Sequence, residues 1–113
     1  MSFVNETLSK KIYVVLRRLW IEELNEEFYS YIGINHLKLN RNLSTIVIYL
    51  DLEYVKTLYS KEEIMKKLKK LTPFLKYRLI GKLNLPSHCK LIFEEDLFIQ
   101  KARRVESLIE SSR

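Results

Sequence analysis

Ser60–Asn84, SKEEIMKKLKKLTPFLKYRLIGKLN, decides how the chain is read, because this stretch carries both the clearest helical period and the whole charge excess. Ile64, Leu68, Leu71, Leu75, Leu79 and Leu83 recur at steps of three and four, one apolar stripe that faces a core. Ser60 with Glu63 three residues on forms a capping box, so a helix opens there. From Lys61 to Lys82 eight basic residues stand against two acids, and the rest of the chain is neutral, so the net charge of +6 resides here. Lys66, Lys67, Lys69 and Lys70 fall mostly off the stripe and must project into solvent or onto a polyanion, since unpaired lysine is almost never fully buried. Pro73 interrupts the stripe; it lacks an N–H and clashes with the carbonyl four residues back, at about 3 kcal/mol in a straight helix. The expectation is two helices joined by a kink at Leu71, Thr72 and Pro73, with Thr72 capping the second and Pro73 its first residue. A second helix N-terminus there, with free N–H groups near Phe74 and Leu75 between Lys69, Lys70 and Lys76, would attract phosphate. The plainer alternative is that Thr-Pro only turns a corner between two core helices.

Upstream, Leu8, Ile12, Leu16 and Leu19, continued by Trp20, Leu24 and Phe28, predict one long amphipathic helix from Asn5 to about Ile32, capped by Asn5 and closed by Gly33. After Gly33 the period falls to two. Ile34 is followed by Leu37 and Leu39 with His36 and Lys38 between, and a polar turn comes at Asn40, Arg41 and Asn42. Thr45–Leu52, with β-branched and apolar residues in near succession, reads as a second strand covered by helices or central in its sheet, pairing antiparallel with the first. Downstream of the helical stretch, Cys89–Phe93 predicts a third strand ending at a solvated Glu94, Glu95, Asp96. Phe98, Ala102, Val105, Leu108 and Ile109 give a weaker helical pattern. A helical pair between two strands of one sheet requires a crossover, so the expected class is α+β: helix, strand, strand, kinked helix pair, strand, with the helices on one face of a three-stranded sheet.

The chain is 113 residues, 47% hydrophobic and 30% charged, with two glycines and two prolines, which describes one ordered domain rather than a disordered tail. Its basicity points to polyanionic partners: nucleic acid first, then anionic membrane or acidic protein. A single cysteine, Cys89, rules out a disulfide framework and a thiolate metal cluster and suits a reducing cytosol. No apolar run approaches the ~20 residues of a membrane span.

Catalytic chemistry is not expected, and neither is a cofactor or a small-molecule substrate. His36 and His88 are too few and too far apart for a metal site, and Cys89 beside His88 would point to the opposite face of a strand. Gly33 and Gly81 stand alone, so there is no glycine-rich phosphate loop.

Three pieces together resemble the ribosome-binding factor A family. Leu37–Ser44 followed by Ile46–Leu50 resembles its strand and turn V-x-V-S-x-D-L-s and the A-x-V-y-v after it; Leu71–Lys76, continued to Leu79 and Leu83, resembles A-x-G-F-[IL]-R and L-A-k-r-L; Leu91–Asp96 resembles L-x-F-x-x-D. Ala-x-Gly becomes Leu71-Thr72-Pro73, the arginine becomes Lys76, and Ser and Asp of the turn become Asn40 and Asn42. The resemblance implies a type II KH-like domain over residues 1–96, in which an interhelical kink replaces the GXXG loop, and a C-terminal tail, 97–113, helical or partly disordered.

It further implies a monomeric cytoplasmic factor that binds 16S rRNA on the immature 30S subunit and assists its late maturation. On that reading Lys66, Lys67, Lys69, Lys70, Lys76, Arg78 and Lys82 contact phosphates, with Arg41 and Lys38 extending the patch. Few glycines and no exposed aromatic motif argue for placement by shape and phosphate rather than by stacking on bases. The rivals are a KH-like binder of non-ribosomal RNA, a basic amphipathic helix on anionic membrane, and a protein adaptor. The membrane reading is weakened because the apolar stripe is needed for the core and Trp20, the only Trp, lies in the first helix.

Overall fold

A computed structural model describes residues 3–98, with side chains from Glu6 onward. Helix α1 spans Phe3–Glu22, a single turn α2 Glu27–Ser30, strand β1 Gly33–Leu39, strand β2 Thr45–Asp51, helix α3 Lys61–Leu83 and strand β3 Lys90–Glu95. The sheet order is β1-β2-β3, with β1 antiparallel and β3 parallel to β2, so α3 is the crossover that the element order demanded. Alternation sorts the two faces: Ile46, Ile48 and Leu50 of β2 are buried, as are Leu91 and Phe93 of β3, whereas His36, Lys38, Ile92 and Glu94 face out. Ile12, Leu16, Leu19 and Trp20 of α1 and Ile64, Leu68, Leu71, Leu75 and Leu79 of α3 close the core against the inner face. This is the expected α+β class, a three-stranded sheet with its helices on one side.

The first helix is shorter than expected. It stops at Glu22, and Asn5 lies inside it. No basic residue occupies its last turn, where Glu22, Glu23, Glu26 and Glu27 crowd the negative end of the dipole. The chain then reverses, and the Trp20 indole N–H donates to the Tyr29 carbonyl at 2.8 Å. In a continuous helix those residues would stand about 13 Å apart along the axis. The reversal buries Phe28, Tyr29 and Ile32 against the core, at about 1.5–3 kcal/mol for a fully buried apolar side chain. Gly33 belongs to β1 and has no positive φ, so it is not the helix cap that its position suggested.

The second long helix is not divided. Lys61–Leu83 is one α-helix with Pro73 inside it, in place of the expected pair. Pro73 is exposed, so the Lys69 carbonyl it leaves without an N–H can tilt toward water. Beyond it Leu75 and Leu79 are fully buried, and together they outweigh the roughly 3 kcal/mol of proline. The Thr72 hydroxyl donates to the Leu68 carbonyl at 3.0 Å and caps nothing. The Glu63 N–H donates to Ser60 Oγ at 3.2 Å, as the capping box required. At the far end Asn84, at φ 55°, ends the helix in the left-handed conformation.

The strand pairing contains one irregularity. Ile34 faces Leu50 and His36 faces Tyr49, so Asn35 is the extra residue of a β-bulge. Its side-chain amide donates to the carboxylate of Asp96 at 3.1 Å, and the Asp96 N–H donates to the Leu50 carbonyl at 2.8 Å. Asp96 is thus buried, and Glu95 pairs with Lys56, so two of the three acids clasp the sheet and Glu94 alone is solvated as expected. The helical pattern at Ala102, Val105, Leu108 and Ile109 lies outside the described residues.

Candidate nucleic-acid interface

Helix α3 carries the stripe toward the sheet, so the residues half a turn away form its outer face. Lys66, Lys69 and Lys70 are exposed there, and among the described residues no carboxylate holds them. Lys82 is exposed at the last turn. These four are free to meet phosphate.

The other three expected cations stand differently. Lys67 leans toward α2, where its ammonium meets the Glu26 carboxylate at 3.2 Å and lies 5.2 Å from the Phe28 ring centre. The hydrogen bond to Glu26 raises the pKa of its amine. Arg78 is 2.7 Å from Glu23 and spreads over Phe74, 5.9 Å from the ring centre. Both therefore tie α3 to the acidic end of α1. Lys76 sits half-buried on the opposite flank, near the Cys89 thiol; burial pushes that thiol up, and the Lys76 charge opposes the shift. An inert core cysteine results.

Leu71 is core, Thr72 bonds within the helix and Pro73 faces solvent, so the kink residues do not present a second helix N-terminus to an anion. Arg41 is exposed at the tip of the β1–β2 turn, which Asn40 and Asn42 hold by accepting the Thr45 and Ser44 N–H groups at 3.0 and 3.2 Å. That turn lies beside the start of β3, where the Lys90 N–H donates to the Ser44 carbonyl at 2.9 Å. Lys38 projects from the outer face of the sheet, away from the helices. The cations thus fall into a ridge on α3 and a separate corner at the turn.

Two features lie outside the expected patch. On α1 the exposed cations Lys10, Lys11, Arg17 and Arg18 stand between Glu6 in the first turn and the acids at the helix end; a charge count over the chain cancels them. On α3 Tyr77 is 78% exposed among the lysines, a single open ring where no exposed aromatic motif was expected. A helical wheel locates it: Tyr77 lies two residues from both Leu75 and Leu79, and two residues is more than half a turn.

Among the described residues no group of three potential ligands could hold a metal ion, and no helix is long and apolar enough to cross a membrane. His36 stacks on Tyr49 at 4.4 Å between ring centres and approaches Asp96 at 3.5 Å, an arrangement that braces the bulge. The geometry presents charge and one aromatic ring on a rigid helix, which suits binding to an extended anion.

No curated protein matches the chain. The family model described as ribosome-binding factor A matches residues 3–109, nearly the whole sequence, and the chain accordingly belongs to the ribosome-binding factor A family.

Proposed function

We propose that this chain binds the immature 30S subunit through phosphates of 16S rRNA, assists late maturation and rRNA processing, and then departs, acting as a monomeric, non-catalytic factor of the cytoplasm. Family membership supports ribosome association. The observation that carries the RNA contact is the outer face of α3, where Lys66, Lys69 and Lys70 project from one rigid helix with no acid among the described residues to neutralise them. Lys82 adds a contact at the end of the helix and Arg41 a separate one at the turn, while Lys67 and Arg78 act mainly by holding α3 in place. Residues 1–96 serve as the binding module.

Sedimentation of the tagged protein through a gradient of cell lysate tests this. Salt-sensitive enrichment on free small subunits, with little on complete ribosomes, is the expected result. Four phosphate contacts to single-stranded RNA give a slope of log affinity against log salt of about −3. Reversal of Lys66, Lys69 and Lys70 to Glu removes the enrichment. Protein that stays at the top of the gradient at low salt overturns the ribosomal reading, and an even spread over all RNA favours a binder of non-ribosomal RNA.

A further inference from the structure

Seven tyrosines occur in the chain, and six have a ring or a cation packed against them. Tyr77 has neither among the described residues, and it is 78% exposed. Its neighbour Phe74 is already covered by Arg78, which Glu23 holds in place. Tyr77 thus offers an open aromatic face on the ridge that carries Lys66 and Lys70.

The residues one turn to either side are the two that a helix least favours. Pro73 lies four residues before Tyr77 and Gly81 four after, both on the exposed face where packing against the core requires neither. Gly81 has ordinary backbone angles, and a Cβ built on it would meet nothing within 4 Å among the described residues, so no steric demand from them explains it. A longer side chain at 81 would lean toward the helix N-terminus, over Tyr77. Glycine instead leaves a shallow groove, bounded by Tyr77, Arg78, Ile80, Gly81 and Lys82.

We propose that Tyr77, flanked by Pro73 and Gly81, is a stacking platform for an unpaired base of the bound RNA strand, whose phosphates run along Lys66 and Lys70. This rests on the RNA-binding reading above and adds a preference to it: single-stranded RNA over duplex. An aromatic face accepts any base, so the platform selects unpaired structure and not sequence. Charge complementarity decides the occupant, because the cations around the ring suit a polyanion.

The test uses the full chain at low salt with two probes, a short unstructured RNA oligonucleotide and an RNA duplex of matched phosphate number. Tyr77→Ala weakens binding of the single strand about tenfold, within the range of one base–aromatic stack, and leaves the duplex and both salt slopes unchanged. Tyr77→Phe retains wild-type affinity. Gly81→Leu raises the melting temperature yet weakens the single strand, opposite signs that a purely structural role would not produce. In Tyr77→Trp the added fluorescence is quenched by the single strand and not by duplex, with buried Trp20 as a constant background. If Tyr77→Ala binds the single strand like wild type, or loses both probes equally, the platform is overturned. Loss of both probes on reversal of Lys66 and Lys70 to Glu then leaves the RNA reading standing. If wild type binds neither probe, that reading fails and the platform with it.

Discussion

Helix α1 contains neither proline nor glycine and stops after 20 residues, whereas α3 contains both and runs for 23. The difference lies in where the next apolar residues must go. Beyond Glu22, Phe28, Tyr29 and Ile32 reach the core only if the chain turns back, and Trp20 fixes that reversal through the Tyr29 carbonyl. Beyond Pro73, Leu75 and Leu79 already lie on the stripe that faces the sheet, so a straight continuation is what buries them. The proline sits on the wet side, where a lost hydrogen bond is replaced by water. A helix here ends where its apolar face runs out of partners, and a breaker on the outer face does not overrule that. The same geometry sends Glu23 and Glu26 onto Arg78 and Lys67, so the short helix sets which cations of the long one remain free.

The comparison can be broken most severely at Trp20. Trp20→Ala removes both the indole hydrogen bond and the packing against Tyr29 and Phe93, and should destabilise the fold by about 3–5 kcal/mol in urea unfolding, with early hydrogen exchange in α2. A loss under about 1 kcal/mol would mean that the reversal is held elsewhere. Pro73→Ala acts in the opposite direction. It restores an N–H to the Lys69 carbonyl and should raise stability by about 2 kcal/mol, the helix gain less the entropy that proline removes from the unfolded chain. A destabilised Pro73→Ala would show that the ring is needed where it stands. The smallest effect is expected at Asn84, where α3 ends in the left-handed region. Asn84→Ala should cost about 1 kcal/mol, while Asn84→Gly stays within a few tenths, and equal effects would remove conformation as the cause.

Much of the fold was legible in short-range pattern. The stripe of α3, the capping box at Ser60, the apolar run of β2 and the crossover before β3 all follow from periods and turn chemistry that neighbouring residues impose on one another. Even the bulge left a trace, since Ile34 and Leu37 both face inward although an odd number of positions separates them. The end of α1 was not legible, because its apolar period continues through Leu24 and Phe28; only the position of the core relative to Trp20 makes the chain turn. The same limit applied to the binding face. Sequence supplied the lysines on α3, but ion pairing across 41 and 55 residues removed Lys67 and Arg78 from the free set.

The sequence by itself determined that a basic α+β domain would form, which side of α3 would face the sheet, and that its lysines would point away from it, since these depend on periods of two and 3.6 residues within single segments. Only the tertiary structure decided where α1 stops, that α3 continues through Pro73, which cations stay unpaired and that Tyr77 stands uncovered among them. Each of those depends on distances between residues far apart in the chain, and burial energies of several kcal/mol acting across such distances override local preferences of one to three.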